Sequence, residues 1–62
     1  MRYVVRFKIG NRWGAGSVYT LRDIAISLVG KYLLTNVELT TIVRLHVDDV
    51  FTNDDMMVTR LS

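Results

Sequence analysis

The chain has no cysteine and only one histidine among its 62 residues, and this constrains the fold more than any other feature. Without thiols it forms no disulfide, and one histidine excludes the usual zinc arrangements. The fold is therefore stabilised by one small core, which supplies only about 3–5 kcal/mol. Half of the residues are apolar, a high proportion for so short a chain. We predict one domain over residues 1–62 that gains stability by association with another chain.

The N-terminal segment alternates apolar and basic residues with a period of two, which predicts a half-buried strand over residues 2–9. Tyr3, Val5, Phe7 and Ile9 face one side of the predicted sheet, and the cations face the other together with Val4. Gly10-Asn11 follows, a pair that favours a tight turn because both residues tolerate positive φ. A returning strand is predicted over residues 13–19.

The register of this hairpin has two alternatives. A two-residue turn places Trp13 on the basic face with Lys8. A three-residue loop shifts every side chain to the other face, so that Trp13 and Tyr19 join Phe7 in the core. We favour the three-residue loop because burying Trp13 removes a large apolar area from water.

Residues 21–34 carry the clearest helical pattern of the sequence. Thr20 is a good N-cap, and Asp23 occupies the position of a capping-box acid. Apolar residues then recur at i, i+3, i+4 and i+7, which predicts an amphipathic helix. This stripe comprises Leu21, Ile24, Ala25, Leu28, Val29, Tyr32 and Leu33. Lys31 lies in the last turn, where a cation suits the helix dipole, and Thr35-Asn36 ends the segment.

The second half of the chain predicts two further strands. Residues 37–47 are rich in β-branched side chains, which favours a strand with Ile42 on its outward side. Residues 52–55 have turn chemistry, and residues 56–61 predict a short last strand. The predicted fold class is α+β: a small ββαββ fold with a mainly antiparallel sheet and one amphipathic helix packed on one face.

A second apolar stripe on the predicted helix indicates a surface for a partner. Ile26, Gly30 and Leu34 are spaced at i, i+4 and i+8, and Ser27 lies beside them. Glycine inside a helix costs roughly 1 kcal/mol relative to alanine, and close approach of another chain gives it a use. We predict a homo-oligomer, a two-fold dimer, with these four residues and Ile42 as interface residues, which buries either the helix stripe or the open face of the sheet. The alternative is a tolerated glycine among scattered exposed apolar residues, which are normal on any surface.

Charge is unevenly distributed along the chain. Residues 1–34 contain six cations and one acid, and residues 35–62 contain two cations and five acids. One set of residues would suit nucleic acid or an acidic partner: Arg2, Arg6, Lys8, Arg12 and Trp13. Cations on the outer side of a strand also discourage aggregation, and that alternative needs no ligand.

The acidic residues do not form a known metal motif. Asp48-Asp49 and Asp54-Asp55 do not match the calcium-loop order, and turn or bulge chemistry accounts for them. His46 belongs to no recognisable set of nucleophile, base and orienting group. The glycine-rich stretch 10–16 lacks both the P-loop lysine and the dinucleotide-binding order. We predict no metal, no cofactor and no enzymatic activity.

The predicted function follows from these exclusions. No apolar run approaches the roughly 20 residues of a bilayer span, so we expect a cytoplasmic protein without a membrane partner. We predict a small non-enzymatic protein-binding module that self-associates and occupies the surface of a protein target. The alternative is a nucleic-acid-binding protein that uses the basic strand face. In type, though in no motif, the chain resembles the small bacteriophage proteins that bind and inhibit one host protein.

Overall fold

A computed structural model describes residues 1–30 and 33–62, which form an α+β fold. In chain order the elements are strands β1 (Arg2–Ile9), β2 (Arg12–Trp13) and β3 (Ser17–Thr20), helices α1 (Leu21–Ser27) and α2 (Asn36–Val43), and strands β4 (Val50–Thr52) and β5 (Met56–Arg60). The α+β class is confirmed, but the ββαββ order with a single helix does not describe this arrangement. Lys31 and Tyr32, which were predicted to be helical, lie outside the described residues.

The strands form one antiparallel sheet in the order β2–β1–β5–β4, and β3 also pairs with β1. Strand β1, predicted over residues 2–9, has those bounds, and its length lets it pair with three other strands. The last strand was predicted well, as β5 covers Met56–Arg60. The short strand β4 was not predicted; Asp48, at φ 73°, turns the chain before it.

The hairpin after β1 closes with the two-residue turn. Gly10 has a φ of +61°, and Lys8 pairs with Trp13 across the turn. The preference for a three-residue loop with Trp13 in the core was therefore wrong at this point. That preference assumed that Trp13 would be buried in the core, whereas Trp13 is half-buried on the basic face.

The register then changes by one residue between β2 and β3. Residues 14–16 belong to no strand, and beyond them Val5 pairs with Ser17 and Tyr3 with Tyr19. These are the pairs that the three-residue loop predicted, and Tyr19 packs against the core accordingly. The extra residue acts as a bulge, so each alternative describes one half of the hairpin.

The core lies between one face of the sheet and the two helices. Its fully or almost fully buried members are Tyr3, Val5, Ile24, Leu28, Leu34, Ile42, Met56 and Val58. Burying each large apolar side chain contributes about 1.5–3 kcal/mol, which is the main favourable term for a chain without cross-links.

Helix α1 begins at the predicted residue but ends at Ser27. The capping box is present: the Asp23 backbone N–H donates to Thr20 Oγ1 at 3.1 Å, and the Thr20 N–H donates to Asp23 Oδ2 at 3.0 Å. Gly30 has a φ of +80°, which a helix does not accommodate. The chain turns back there, and the Gly30 N–H donates to the carbonyl oxygen of Leu34 at 3.2 Å. The continuous helix to residue 34 was wrong for this reason.

Residues 36–43 form helix α2, so the strand over 37–47 was also wrong. Thr35 is the N-cap: the Glu38 N–H donates to Thr35 Oγ1 at 3.1 Å, and the Thr35 N–H donates to Glu38 Oε1 at 3.0 Å. This capping box and the burial of one apolar side outweigh the β propensity of the segment. Ile42, predicted to point outward, is completely buried. Within the described ranges, neither helix has the length and apolar character needed to cross a bilayer.

Candidate interaction surface

Among the residues that the structure describes, the helices cover one face of the sheet and leave the other uncovered. Both helices pack on the face that carries Tyr3, Val5 and Val58. We call the opposite side the outer face; its side chains, assigned from the strand registers, are Arg2, Val4, Arg6, Lys8, Trp13, Val18, Val50, Thr52, Met57 and Thr59. None of them belongs to the core or packs against it.

A row of β-branched side chains crosses the centre of the outer face. Val18 pairs with Val4, Val4 with Thr59, and Thr59 with Val50. Paired residues place their Cβ atoms about 4.5–5.5 Å apart, so the four side chains form a continuous strip across four strands. Val18 is 61% exposed and Val50 is 52% exposed. The two ends of the strip are therefore apolar and exposed, and Val4 and Thr59 between them are half-buried.

Arg6 lies next to this strip, against the backbone of Gly16. A Cβ atom at Gly16 would lie 3.3 Å from Cζ and 3.4 Å from Nη1 of Arg6. It would also overlap Cγ1 of Val4. The absence of a side chain at Gly16 thus leaves room for the half-buried Arg6.

Lys8 is the second positioned cation of the outer face. Its Nζ atom lies 5.7 Å from the centroid of the Trp13 ring, within the range of a cation–π interaction. Its backbone N–H donates to the carbonyl oxygen of Asp55 at 2.8 Å. The two side chains form no ion pair within 4.0 Å.

The charged strand residues of the outer face are all positive. Arg2, Arg6 and Lys8 lie there, and no aspartate or glutamate belongs to its strand residues. Among the described residues, the one ion pair within 4.0 Å joins His46 Nδ1 to Asp49 Oδ2 at 3.6 Å, and neither residue belongs to the outer-face set. The outer face therefore combines the cations of β1 with a strip of β-branched side chains.

The predicted dimer interface is not one surface. Ile26 is 61% exposed, and Ser27 and Gly30 are also exposed. Leu34 and Ile42, at 4% and 0% exposure, belong to the core. The five residues were grouped on the assumption of a helix to residue 34 and a strand through residue 42, and both assumptions were wrong.

The predicted basic set is brought together in large part. Arg2, Arg6, Lys8 and Trp13 share the outer face. Arg12 pairs with Ile9 at the tip of the hairpin, and strand alternation places it on the other side from Trp13. The sequence identified these cations, but it gave no indication that Val18 and Val50 lie beside them, because strand adjacency depends on the topology.

A pocket of about 230 Å³ opens at the N-terminus of α2, with the lining residues Leu33, Leu34, Thr35, Glu38, Asn53, Asp54 and Asp55. Asn53 connects its walls: Nδ2 donates to Glu38 Oε2 at 2.9 Å and to the carbonyl oxygen of Leu33 at 3.3 Å. Asn53 Oδ1 accepts the backbone N–H groups of Asp55 and Met56 at 2.8 and 2.9 Å. From the sequence, Asn53 was predicted to lie in a turn, and its contact with a helix was not predicted. The Thr-x-x-Glu spacing at residues 35–38 is a capping-box pattern, and it could have identified the helix α2 that Asn53 contacts.

The hydrogen bonds at this pocket also hold a carboxylate in its charged form. The bond from Asn53, followed by the backbone N–H of Thr35, lowers the pKa of Glu38. In the described residues, no three histidine, aspartate or glutamate side chains are grouped as metal ligands. The arrangement closes the β4–β5 turn onto α2.

Comparison of the chain with protein-family models, with curated proteins and with solved structures found no match.

Proposed function

We propose that this chain is a small non-enzymatic protein-binding module that docks on a partner protein through its outer face. The supporting observation is the strip from Val18 to Val50, which is exposed at both ends and has Arg2 and Arg6 on either side of Val4 along β1. Protein interfaces combine an apolar, well-packed centre with a polar rim, and the outer face has this composition. A module of this size acts by occupying a surface, so it inhibits a partner whose working surface it covers.

The proposal depends on where the apolar area lies and not on its total amount. The chain exposes 4268 Å², and a folded monomer of 7.1 kDa exposes about 4,100 Å² by the general relation of area to mass. The fold is thus as compact as an ordinary monomer. What favours a partner is the row of β-branched residues, with Val18 and Val50 exposed, on the face that neither helix covers.

The charges favour a different protein over a second copy. Two outer faces packed together would bring Arg2, Arg6 and Lys8 of both copies into one interface without carboxylates from the same strands. Like charges opposed across an interface cost free energy. On α1, Ile26 is the exposed large apolar residue of the predicted dimer set. Self-association stays a separate prediction, which light scattering at several concentrations tests.

Two substitutions to aspartate, at positions of equal exposure, test the proposal. Val18 on the outer face and Ile26 on α1 are each 61% exposed, so aspartate introduces the same charge at the same exposure. The wild type and both variants are used to capture proteins from the lysate of the source cells, and the captured proteins are quantified by mass spectrometry. We expect Val18→Asp to lose a defined partner that Ile26→Asp retains.

The controls for this comparison are the fold and the specificity of capture. Circular dichroism and thermal melts establish that both variants are folded. Equal capture by all three proteins, or loss of the same partner with Ile26→Asp, contradicts docking through the outer face.

Single-stranded nucleic acid is the second candidate partner, and the Lys8–Trp13 pair favours it. A base stacked on Trp13 would place phosphates near Lys8 and Arg6. Such binding usually uses several aromatic platforms, and Trp13 is the one aromatic residue among the described members of the outer face. Titration with a thymidine oligonucleotide across a salt series tests this function, and absence of binding at low salt excludes it.

A further inference from the structure

We propose that the outer face recognises an extended acidic polypeptide segment, with Arg6 and Lys8 as the two groups that bind its carboxylates. This inference deepens the proposed function and rests on it. It specifies the chemistry of the partner segment that contacts Arg6 and Lys8 on the outer face.

Arg6 is available for a carboxylate and is already oriented. Its guanidinium group lies against Gly16, and it makes no side-chain hydrogen bond or ion pair with any described residue. A guanidinium presents five N–H donors in a planar fork that matches a carboxylate with two parallel hydrogen bonds. Because the backbone of Gly16 limits where Arg6 can move, less side-chain entropy is lost when a carboxylate binds.

Lys8 supplies the second cation at a fixed offset. Residues 6 and 8 lie on the same side of β1, so their Cα atoms are about 6.6–6.8 Å apart. The indole ring of Trp13, 5.7 Å from Nζ, restricts the ammonium group to one side. A partner segment in extended conformation has this same spacing between residues i and i+2. Alternating acidic residues on such a segment therefore match Arg6 and Lys8 together.

The surroundings favour a polypeptide over a phosphate polymer. The strip that begins at Val4 and Val18 adjoins Arg6 and offers β-branched surface, which packs against apolar side chains. A nucleic acid would leave this strip without a matching surface. Its affinity would depend on a few phosphate contacts and one stacked base, whereas a protein segment uses both the cations and the strip.

The test uses a capped hexapeptide of alternating glutamate and threonine, with its glutamine counterpart as the neutral control. Trp13 is the only tryptophan, so its fluorescence reports binding at this face. We expect the glutamate peptide to change the emission at low salt and the glutamine peptide to leave it unchanged. Arg6→Gln and Lys8→Gln should each weaken binding by about fivefold or more, since each removes one charged contact. Arg22→Gln, which removes an exposed cation from α1, should change it less than about twofold.

Three outcomes overturn the inference. The glutamate peptide fails to bind the wild type, Arg22→Gln weakens binding as much as Arg6→Gln does, or a thymidine hexanucleotide binds more tightly than the peptide with the same dependence on Arg6. If the peptide fails while Val18→Asp still abolishes capture of a protein partner, this inference is wrong and the proposed function stands. If Val18→Asp leaves the capture of partner proteins unchanged, the proposed function itself is wrong.

Discussion

Replacing Asn53 with alanine should lower the free energy of unfolding by about 2–3 kcal/mol. The side chain makes four hydrogen bonds, two from Nδ2 and two to Oδ1. A neutral bond contributes about 0.5–1.5 kcal/mol net, and the contact at 3.3 Å falls at the low end. The bond to the Glu38 carboxylate is charged but largely solvated, which limits it to about 1 kcal/mol. Together they connect the β4–β5 turn to the N-terminus of α2.

This loss is large for a core that supplies about 3–5 kcal/mol. Urea unfolding followed by circular dichroism at pH 7 measures it directly. In a domain of this size, 1 kcal/mol shifts the midpoint temperature by about 4–8 °C, so Asn53→Ala should melt roughly 8–24 °C lower. Asp54→Ala is the matched control, because Asp54 is an exposed neighbour in the same turn with no side-chain hydrogen bond to a described residue.

An isosteric substitution separates the hydrogen bonds that Asn53 donates from those that it accepts. Asn53→Asp keeps the acceptor oxygen but replaces the donor at 2.9 Å from Glu38 Oε2 with a second carboxylate oxygen. We expect it to destabilise more than alanine at pH 7 and to recover as the pH falls and one carboxylate takes a proton. A loss below about 0.5 kcal/mol for Asn53→Ala, or one equal to that of Asp54→Ala, would refute the reasoning.

The pKa values of Asp23 and Glu38 are both lowered, the first by the Thr20 backbone N–H and the second by Asn53. The two carboxylates therefore contribute fully to folding stability above the carboxyl pKa of the unfolded chain, and this stability is lost as the pH falls through their lower folded values. Urea midpoints measured between pH 7 and pH 2 should show this decline. Gly16→Ala should cost about 1–3 kcal/mol in urea unfolding, because the added Cβ overlaps Val4, and amide NMR shifts should concentrate around Arg6. Gly30→Ala should cost about 1–2 kcal/mol from the left-handed φ of +80° alone, because no atom lies within 4 Å of the added Cβ.

The local features of the fold were predictable where one short-range rule applies. Alternation identified the strand and its two faces, and Thr20 with Asp23 fixed the start of α1. The same reasoning failed at Gly30, where the sequence alone did not distinguish a helical glycine from one with positive φ. It also failed at 37–47, because β propensity was given more weight than the second capping box at Thr35 and Glu38.

The candidate surface was predictable only along one strand. The outward direction of Arg6 and Lys8 follows from alternation within β1. The neighbours Val18 and Val50 come from strands that are distant in sequence, and their positions depend on a bulge at 14–16 and on a strand, β4, of only three residues. Those features depend on the tertiary pairing of the strands, which a short stretch of sequence does not specify.

Photo-crosslinking in the source cells tests the central claim most directly. A benzophenone amino acid is introduced at Val18 in one protein and at Ile26 in another, two positions of equal exposure on opposite layers of the fold. The outer-face account predicts a covalent adduct with a distinct partner protein from position 18 and none from position 26. An adduct from position 26 alone, or one from position 18 with the mass of two copies of this chain, would contradict it.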